Sequence, residues 1–137
     1  MKAMVHPEKE LVLLYHLEEN SEQGALVREV ISNLGIEMIT VTESMLSENV
    51  GFCANMEGFS SCGEPYTGSA PCEPMLVLRG LTQKRLNLLL DSLKKAGAAR
   101  IDRKAVITAT NRNWTFLKLY EEVSREHEVI IKSQKRG

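Results

Sequence analysis

The chain contains the pattern Ile-Thr-x-Thr twice, from Ile39 to Thr42 and from Ile107 to Thr110. Each copy closes a stretch in which an apolar run is followed by an amphipathic helical pattern and then by a second apolar run. Short apolar runs rich in β-branched residues are typical of strands, whereas apolar residues that recur every three or four positions are typical of a helix. The sequence therefore predicts an internal duplication of a β-α-β unit.

The first predicted unit covers about residues 10–55. Its strands are expected at residues 11–17 and 36–41, with the helix between them. Ser21 is expected to cap this helix, because its hydroxyl can accept a hydrogen bond from a free amide of the first turn. Gly35 is expected to end it, because glycine readily takes the left-handed conformation that closes a helix.

The second predicted unit covers residues 74–128. Its strands are expected at residues 75–78 and 104–108. Thr82 has the position of an N-terminal cap, and Gly97 has the position of the glycine that ends the helix. The two units thus repeat the same order of cap, apolar helix, glycine and strand.

Four segments lie outside these strands and helices. A short helical turn is predicted at residues 50–55. The density of glycine and proline at residues 56–73 predicts an irregular connection, which is either a functional flap or a mobile linker. A charged helix is predicted from Thr115 to about Glu128, with Asn113 as its N-terminal cap. The basic tail at residues 129–137 has the composition of a solvated chain end.

Two such units in 137 residues predict a single α+β domain. Its four strands are expected to form one sheet on which the helices pack, with an extra C-terminal helix covering the sheet or its edge. A ferredoxin-like split arrangement is favoured, because a duplication suits its internal symmetry. An open parallel α/β sheet is the alternative. An exposed sheet face or edge would also suit a homodimer.

The charge balance argues against two classes of partner. The chain has 17 basic and 18 acidic residues and a formal net charge of -1, so neither nucleic acid nor an anionic membrane is the expected partner. No apolar run approaches the roughly 18 residues of a membrane-spanning helix, and no signal peptide is recognisable. The expected location is therefore the cytoplasm.

The three cysteines, Cys53, Cys62 and Cys72, are spaced nine and ten residues apart. Structural zinc sites usually pair their ligands two to four residues apart, so that one tight turn presents both sulfurs. The spacing therefore favours free thiols, and neither a metal nor another cofactor is expected.

The richest group of polar residues follows the second Ile-Thr-x-Thr copy. The candidate ligand-binding residues there are Thr108, Thr110, Asn111, Arg112, Asn113 and Trp114. Hydroxyls, amides and a guanidinium at the start of a helix could hold a phosphate or carboxylate. The competing interpretation is that the threonines and asparagines satisfy the backbone at a strand-to-helix corner while the tryptophan packs against the core. The sequence leaves both open.

No catalytic residues can be assigned from the sequence. The nucleophile motif G-x-S-x-G is absent, and no motif ties a histidine to a serine or cysteine. The leading hypothesis is therefore a non-enzymatic binding or regulatory module with an anionic-ligand or protein-partner site at residues 108–114. The alternative is an enzyme or a thiol protein that uses the cysteine-bearing loop at residues 53–72.

The second half also resembles a known family. The resemblance rests on the run from Pro74 to Val77, on Gly80, on the leucine-rich helix that ends at Lys94-Lys95-Ala96-Gly97, and on residues 104–115. Over about residues 74–128 these features are similar to the bacterial domain of unknown function 3783. The resemblance implies a small bacterial cytoplasmic protein, and it implies no activity. The three cysteines are not part of the family motif.

Overall fold

A computed structural model describes residues 9–125. The first unit consists of β1 at Leu11–Tyr15, α1 at Glu22–Asn33 and β2 at Glu37–Val41. Ser21 caps α1, because its Oγ accepts a hydrogen bond of 3.0 Å from the backbone amide of Gly24. Gly35 follows the helix with a φ of 74°, in the left-handed region where glycine is unstrained. Both predicted helix ends are confirmed.

The second unit has the same order. It consists of β3 at Met75–Arg79, α3 at Gln83–Lys95 and β4 at Arg103–Val106. The Oγ1 of Thr82 accepts a hydrogen bond of 3.1 Å from the amide of Arg85, and Gly97 has a φ of 81°. The predicted cap and stop are again confirmed, but β4 ends before the predicted Thr108.

A 3-10 helix at Glu43–Ser47 and a short helix, α2, at Val50–Cys53 follow β2. The predicted turn at residues 50–55 therefore exists, and the 3-10 helix before it was not predicted. No helix or strand occurs at residues 56–73, as expected for this connection.

A 3-10 helix at Asn111–Asn113 precedes the last helix, α4, which is described over residues 116–125. The prediction that Asn113 caps α4 is wrong. Thr115 lies directly before the helix, and its Oγ1 accepts a hydrogen bond of 3.1 Å from the amide of Lys118. The predicted helix end at Glu128 and the basic tail at residues 129–137 lie outside the described residues.

The four strands form one mixed sheet in the order β2-β1-β3-β4. The two strands of each unit are adjacent and parallel, and the central pair, β1 and β3, is antiparallel. The predicted four-stranded α+β sheet is confirmed. The ferredoxin-like split order is not observed, because no strand of one unit lies between the strands of the other. The antiparallel centre also excludes the fully parallel alternative.

Helices cover both faces of this sheet. Alternate residues of β1 point to opposite faces, so Val12 and Leu14 pack with α1 and α3, while Leu13 and Tyr15 pack with α2 and α4. All five residues of β1 are buried. We call the two sides the α1/α3 face and the α2/α4 face. Among residues 9–125, no helix combines the length and apolarity needed to cross a lipid bilayer.

A single β-bridge between Asn49 and Thr115 joins the segments that follow β2 and β4. The amide of Val50 donates to the carbonyl of Trp114 at 2.8 Å, and the amide of Phe116 donates to the carbonyl of Glu48 at 2.8 Å. Because α2 and α4 begin immediately after the bridge, it fixes the starts of both helices on the same face.

Candidate functional site

The corner at residues 108–114 is held together by the side chain of Asn111, which is only 8% exposed. Its Oδ1 accepts a hydrogen bond of 2.8 Å from the amide of Thr108, and its Nδ2 donates one of 3.0 Å to the carbonyl of Val106. The hydroxyl of Thr108 in turn accepts from the amide of Asn111 at 3.0 Å. One side-chain amide thus pairs with backbone groups on both sides of Ile107, as a neighbouring strand would.

This arrangement occupies the edge of the chain opposite β3, because the amide of Ile107 between these groups donates to the carbonyl of Leu78 on β3 at 2.9 Å. The polar groups of Val106 and Thr108 that a strand partner could use are already paired with Asn111. The two predicted site residues Thr108 and Asn111 therefore stabilise the turn, which is the backbone interpretation of this segment. Thr110, Arg112 and Asn113 remain exposed at the corner.

Two of these exposed residues differ in their contacts. The side-chain amide of Asn113 donates to the carbonyl of Ala109 at 3.2 Å and thus serves the turn. The guanidinium of Arg112 forms no hydrogen bond or ion pair with any residue between 9 and 125. Its donors are therefore free of partners within the described part of the chain.

Trp114 is partly buried and packs against the core of the α2/α4 face. The ammonium of Lys118 lies 4.8 Å from the centre of the indole ring, within the range of a cation–π contact. Lys118 is not among the predicted site residues. Trp114 has extended backbone angles and lies directly before the capping Thr115, so Lys118 reaches the ring from the first turn of α4.

The neighbouring segment of the first unit holds this corner rigidly from one side. In addition to the β-bridge, the side-chain amide of Asn49 donates a hydrogen bond of 2.6 Å to the carbonyl of Asn113. These bonds hold the backbone of Asn113, Trp114 and Thr115, whereas the side chain of Arg112 extends from it into solvent.

The equivalent corner of the first unit, residues 43–48, is hydrogen-bonded to the connection at residues 56–73. The amide of Tyr66 donates to the carbonyl of Ser44 at 2.9 Å, and the hydroxyl of Ser47 donates to the carbonyl of Glu64 at 2.8 Å. The connection is therefore a docked flap, because its backbone is tied to this corner.

The carboxylate of Glu48 completes this attachment. It accepts hydrogen bonds of 2.7 Å from the hydroxyl of Ser61 and of 2.8 Å from the amide of Cys62. These two bonds hold the pKa of Glu48 below its usual value. The first corner is thus attached to the flap, although Glu43 and Ser44 stay exposed, whereas within residues 9–125 no hydrogen bond attaches the second corner to it and residues 108–110 and 112–113 are exposed.

The second corner lies within the part of the chain that matches a family model. A family model described as Domain of unknown function (DUF3783) matches residues 74–130. The resemblance noted in the sequence over about residues 74–128 is therefore confirmed. The DUF3783 segment contains β3, α3, β4 and the whole corner, and the cysteines lie outside it. No curated protein and no solved structure matches the chain.

The cysteine-bearing loop before the DUF3783 segment brings the three thiols into different environments. Cys53 is buried, whereas Cys62 and Cys72 are exposed, and all three are free. Burial and the charge of Glu48 raise the pKa of Cys53 to about 12. Cys53 is therefore protonated and unreactive at neutral pH. Among the described residues, no three histidine, cysteine or acidic side chains are grouped closely enough to hold a metal ion.

A second contact outside the DUF3783 segment was missed. The Nε2 of His16 lies 2.7 Å from the Oε2 of Glu43. His16 directly follows β1 and has a φ of 55°, in the left-handed region that few residues other than glycine adopt. The signal in the sequence was that both residues lie just beyond the carboxyl ends of strands that prove to be parallel neighbours.

Proposed function

We propose that the protein is a non-enzymatic binding module, regulatory in character, that recognises an acidic segment of a protein partner at the corner of residues 108–114. The observation that carries this proposal is the difference between the two corners. The first is hydrogen-bonded to the connection at residues 56–73, whereas among the described residues no hydrogen bond joins that connection to the second, where residues 108–110 and 112–113 are exposed. A partner segment would bind the second corner as the connection binds the first.

The chemistry of the open corner supports an acidic partner. Arg112 and Lys118 are exposed cations that precede and follow Trp114 in the sequence, and the ammonium of Lys118 lies over the indole ring. Tryptophan and arginine are enriched among the residues that dominate binding at protein interfaces. The bonds of Asn111 to the backbone favour the protein-partner version over the small-ligand version, because the amide that would have held an anion is already used.

Trp114 gives a direct assay, since it is the only tryptophan in the chain. We expect its fluorescence to change on titration with a hexaglutamate peptide, with an apparent affinity that falls as salt is added. Arg112→Glu is expected to weaken binding about tenfold, because it reverses a contacting charge. Lys84→Glu is the matched control, because Lys84 is equally exposed but lies on α3.

Inorganic phosphate, titrated separately, distinguishes the two versions of the proposal. If phosphate alone saturates the same signal, the corner binds a small anion and the partner version is wrong. If neither probe changes the fluorescence, or if both charge reversals act alike, the corner is not a binding site.

The thiol hypothesis remains the alternative, and the structure narrows it to Cys62 and Cys72. Both are exposed, whereas Cys53 is buried. Titration of the thiols tests it: a cysteine that ionises near neutral pH would support a thiol protein, and ordinary thiols would contradict it.

Four broader predictions accompany the proposal: bacterial origin, a cytoplasmic location, an internal duplication and a homodimer. The repeated order of strand, capped helix, glycine and parallel strand supports the duplication. The outer strands β2 and β4 each have one partner in the sheet, which supports pairing between copies. Sedimentation equilibrium tests the dimer.

A further inference from the structure

A cavity of about 390 Å³ opens on the α1/α3 face, between the end of α3, β4 and the loop at residues 98–101. Ligand pockets in proteins have volumes of about 300–1,000 Å³. Its apolar wall includes the buried side chains of Leu76, Leu93 and Ile101. Three cations, Lys94, Arg100 and Lys104, also line it. The cavity thus joins an apolar wall to a positive rim.

Lys104 is the one of these three cations that is partly buried, whereas Lys94 and Arg100 are exposed. The strand register pairs it with Leu76, and its side chain is partly buried. Its Nζ donates a hydrogen bond of 2.5 Å to the carbonyl of Ile101, and burial lowers the pKa of the ammonium, with a further contribution from Arg100. Among residues 9–125, no carboxylate lies within ion-pair distance of this ammonium.

Asp102, the acidic residue that interacts electrostatically with Lys104, already forms an ion pair with Arg100. Asp102 raises the pKa of Lys104, but its Oδ1 lies 2.8 Å from the Nε of Arg100. The partly buried ammonium of Lys104 therefore keeps donor capacity for an anion in the cavity, because a lysine has three donors and one is used here.

The position equivalent to Lys104 in the first unit is Met38. The register pairs Met38 with Val12 on β2 and β1, as it pairs Lys104 with Leu76 on β4 and β3. Met38 is partly buried and packs against the core of the α1/α3 face. The first unit thus has an apolar side chain at the position where the second unit has an ammonium.

The helices α1 and α3 show the opposite difference, because α1 has a cation where α3 has an apolar residue. Arg28 and Leu90 each lie seven residues before the glycine that follows their helix. In the first unit, Arg28 donates to the hydroxyl of Thr40 at 2.7 Å and to the carbonyl of Leu17 at 2.9 Å. The second unit has the apolar Leu90 there, and it lines the cavity. The positive charge therefore lies on the helix in the first unit and on the edge strand in the second.

We propose that this cavity binds an amphipathic organic anion, an alkyl carboxylate of medium chain length, with its chain on Leu93 and Ile101 and its head group on Lys104. The exposed cations Lys94 and Arg100 add long-range attraction at the entrance. This site is independent of the corner at residues 108–114.

The probe is sodium octanoate, titrated into the full chain below its micelle-forming concentration and followed by amide chemical shifts. We expect saturable shifts concentrated at residues 98–104. Acetate has the same head group without the chain, and octanol has the same chain without the charge. Each is expected to bind about tenfold more weakly or worse, because each makes only half of the contacts.

Two variants test the assignment. Lys104→Met introduces the residue of the first unit and is expected to weaken octanoate binding at least about tenfold while the protein stays folded. Lys95→Met is the control, because Lys95 is exposed on the same helix and does not line the cavity. Leu90→Trp fills the cavity without changing its charge and should also block binding.

The outcomes separate cleanly. Octanol that binds as well as octanoate would make the cavity a purely apolar site. Equal octanoate binding by wild type and Lys104→Met would overturn the assignment of the head group. Absence of saturable shifts at residues 98–104 would overturn the proposal as a whole.

Discussion

Replacement of Asn111 by alanine is expected to lower the free energy of unfolding by about 2–4 kcal/mol. The side chain pairs two backbone groups, the amide of Thr108 at 2.8 Å and the carbonyl of Val106 at 3.0 Å. Its removal leaves both without their partner, at a cost of about 1–3 kcal/mol for each group that stays buried. Water can reach part of the corner, which keeps the sum below the upper limit.

Urea unfolding followed by far-UV circular dichroism measures this change. Asn113→Ala is the matched control, because Asn113 is exposed and its side chain makes one weaker bond of 3.2 Å to Ala109. We expect the control to lose less than about 1 kcal/mol. Asn111→Asp keeps the acceptor for Thr108 but places a carboxylate oxygen against the carbonyl of Val106, so it should also destabilise the fold.

A difference of less than about 0.5 kcal/mol between Asn111→Ala and Asn113→Ala would refute this reasoning, since surface substitutions fall within that range. The amide of Asn111 would then be dispensable for the turn. It would also again be available to a small ligand, and the preference for a protein partner would lose its support.

Three further perturbations test other contacts. Because the pKa of Glu48 is lowered, its carboxylate stabilises the fold above the unfolded-state pKa, and this contribution disappears as the pH falls through the folded-state value. Glu48→Gln should therefore be less stable than wild type at neutral pH and equal to it in acid; a constant difference in urea unfolding across the acid range would contradict this. His16→Gly should be about 1–2 kcal/mol more stable than His16→Val, because both variants lose the contact with Glu43 and only the glycine accepts a φ of 55° without strain; thermal melting gives the order. Native alkylation at mildly alkaline pH, followed by mass spectrometry, should modify Cys62 and Cys72 but spare Cys53, whose pKa is about 12; equal labelling of all three would show that Cys53 is accessible.

The local elements could be predicted well because their signals are local. Ser21 and Thr82 have hydroxyls that bond to amides three residues later, and Gly35 and Gly97 take positive φ values that other residues avoid. Each signal depends only on neighbouring residues. These four helix ends were therefore visible in the sequence.

The strand order could not be read from burial. In the observed sheet β1 and β3 lie in the centre and β2 and β4 at the edges. The ferredoxin-like arrangement has the same central pair, so the apolar central strands and the charged edge strands fit both orders. The available signal was the connection at residues 42–74, which is far longer than the hairpin that would join β2 to an adjacent antiparallel β3.

The position of the candidate site at residues 108–114 could be predicted, but the contacts of its side chains could not. The sequence indicated a polar corner after the second Ile-Thr-x-Thr copy, and the structure has one there. Which side chains point inward depends on the exact end of β4, because Asn111 pairs with residues on both sides of Ile107. That geometry is tertiary, so residue types alone could not separate the inward Asn111 from the outward Arg112.

The central pair β1 and β3 joins residues inside the family match to residues outside it. Every residue of β3 is paired with a residue of β1, which lies outside the DUF3783 segment. A fragment cut at the limits of the match would leave an apolar strand with a bare hydrogen-bonding edge, the kind of edge that promotes aggregation. The limits of the family match therefore differ from the limits of the folding unit, because the matched residues 74–130 need β1 beside β3 to complete the sheet.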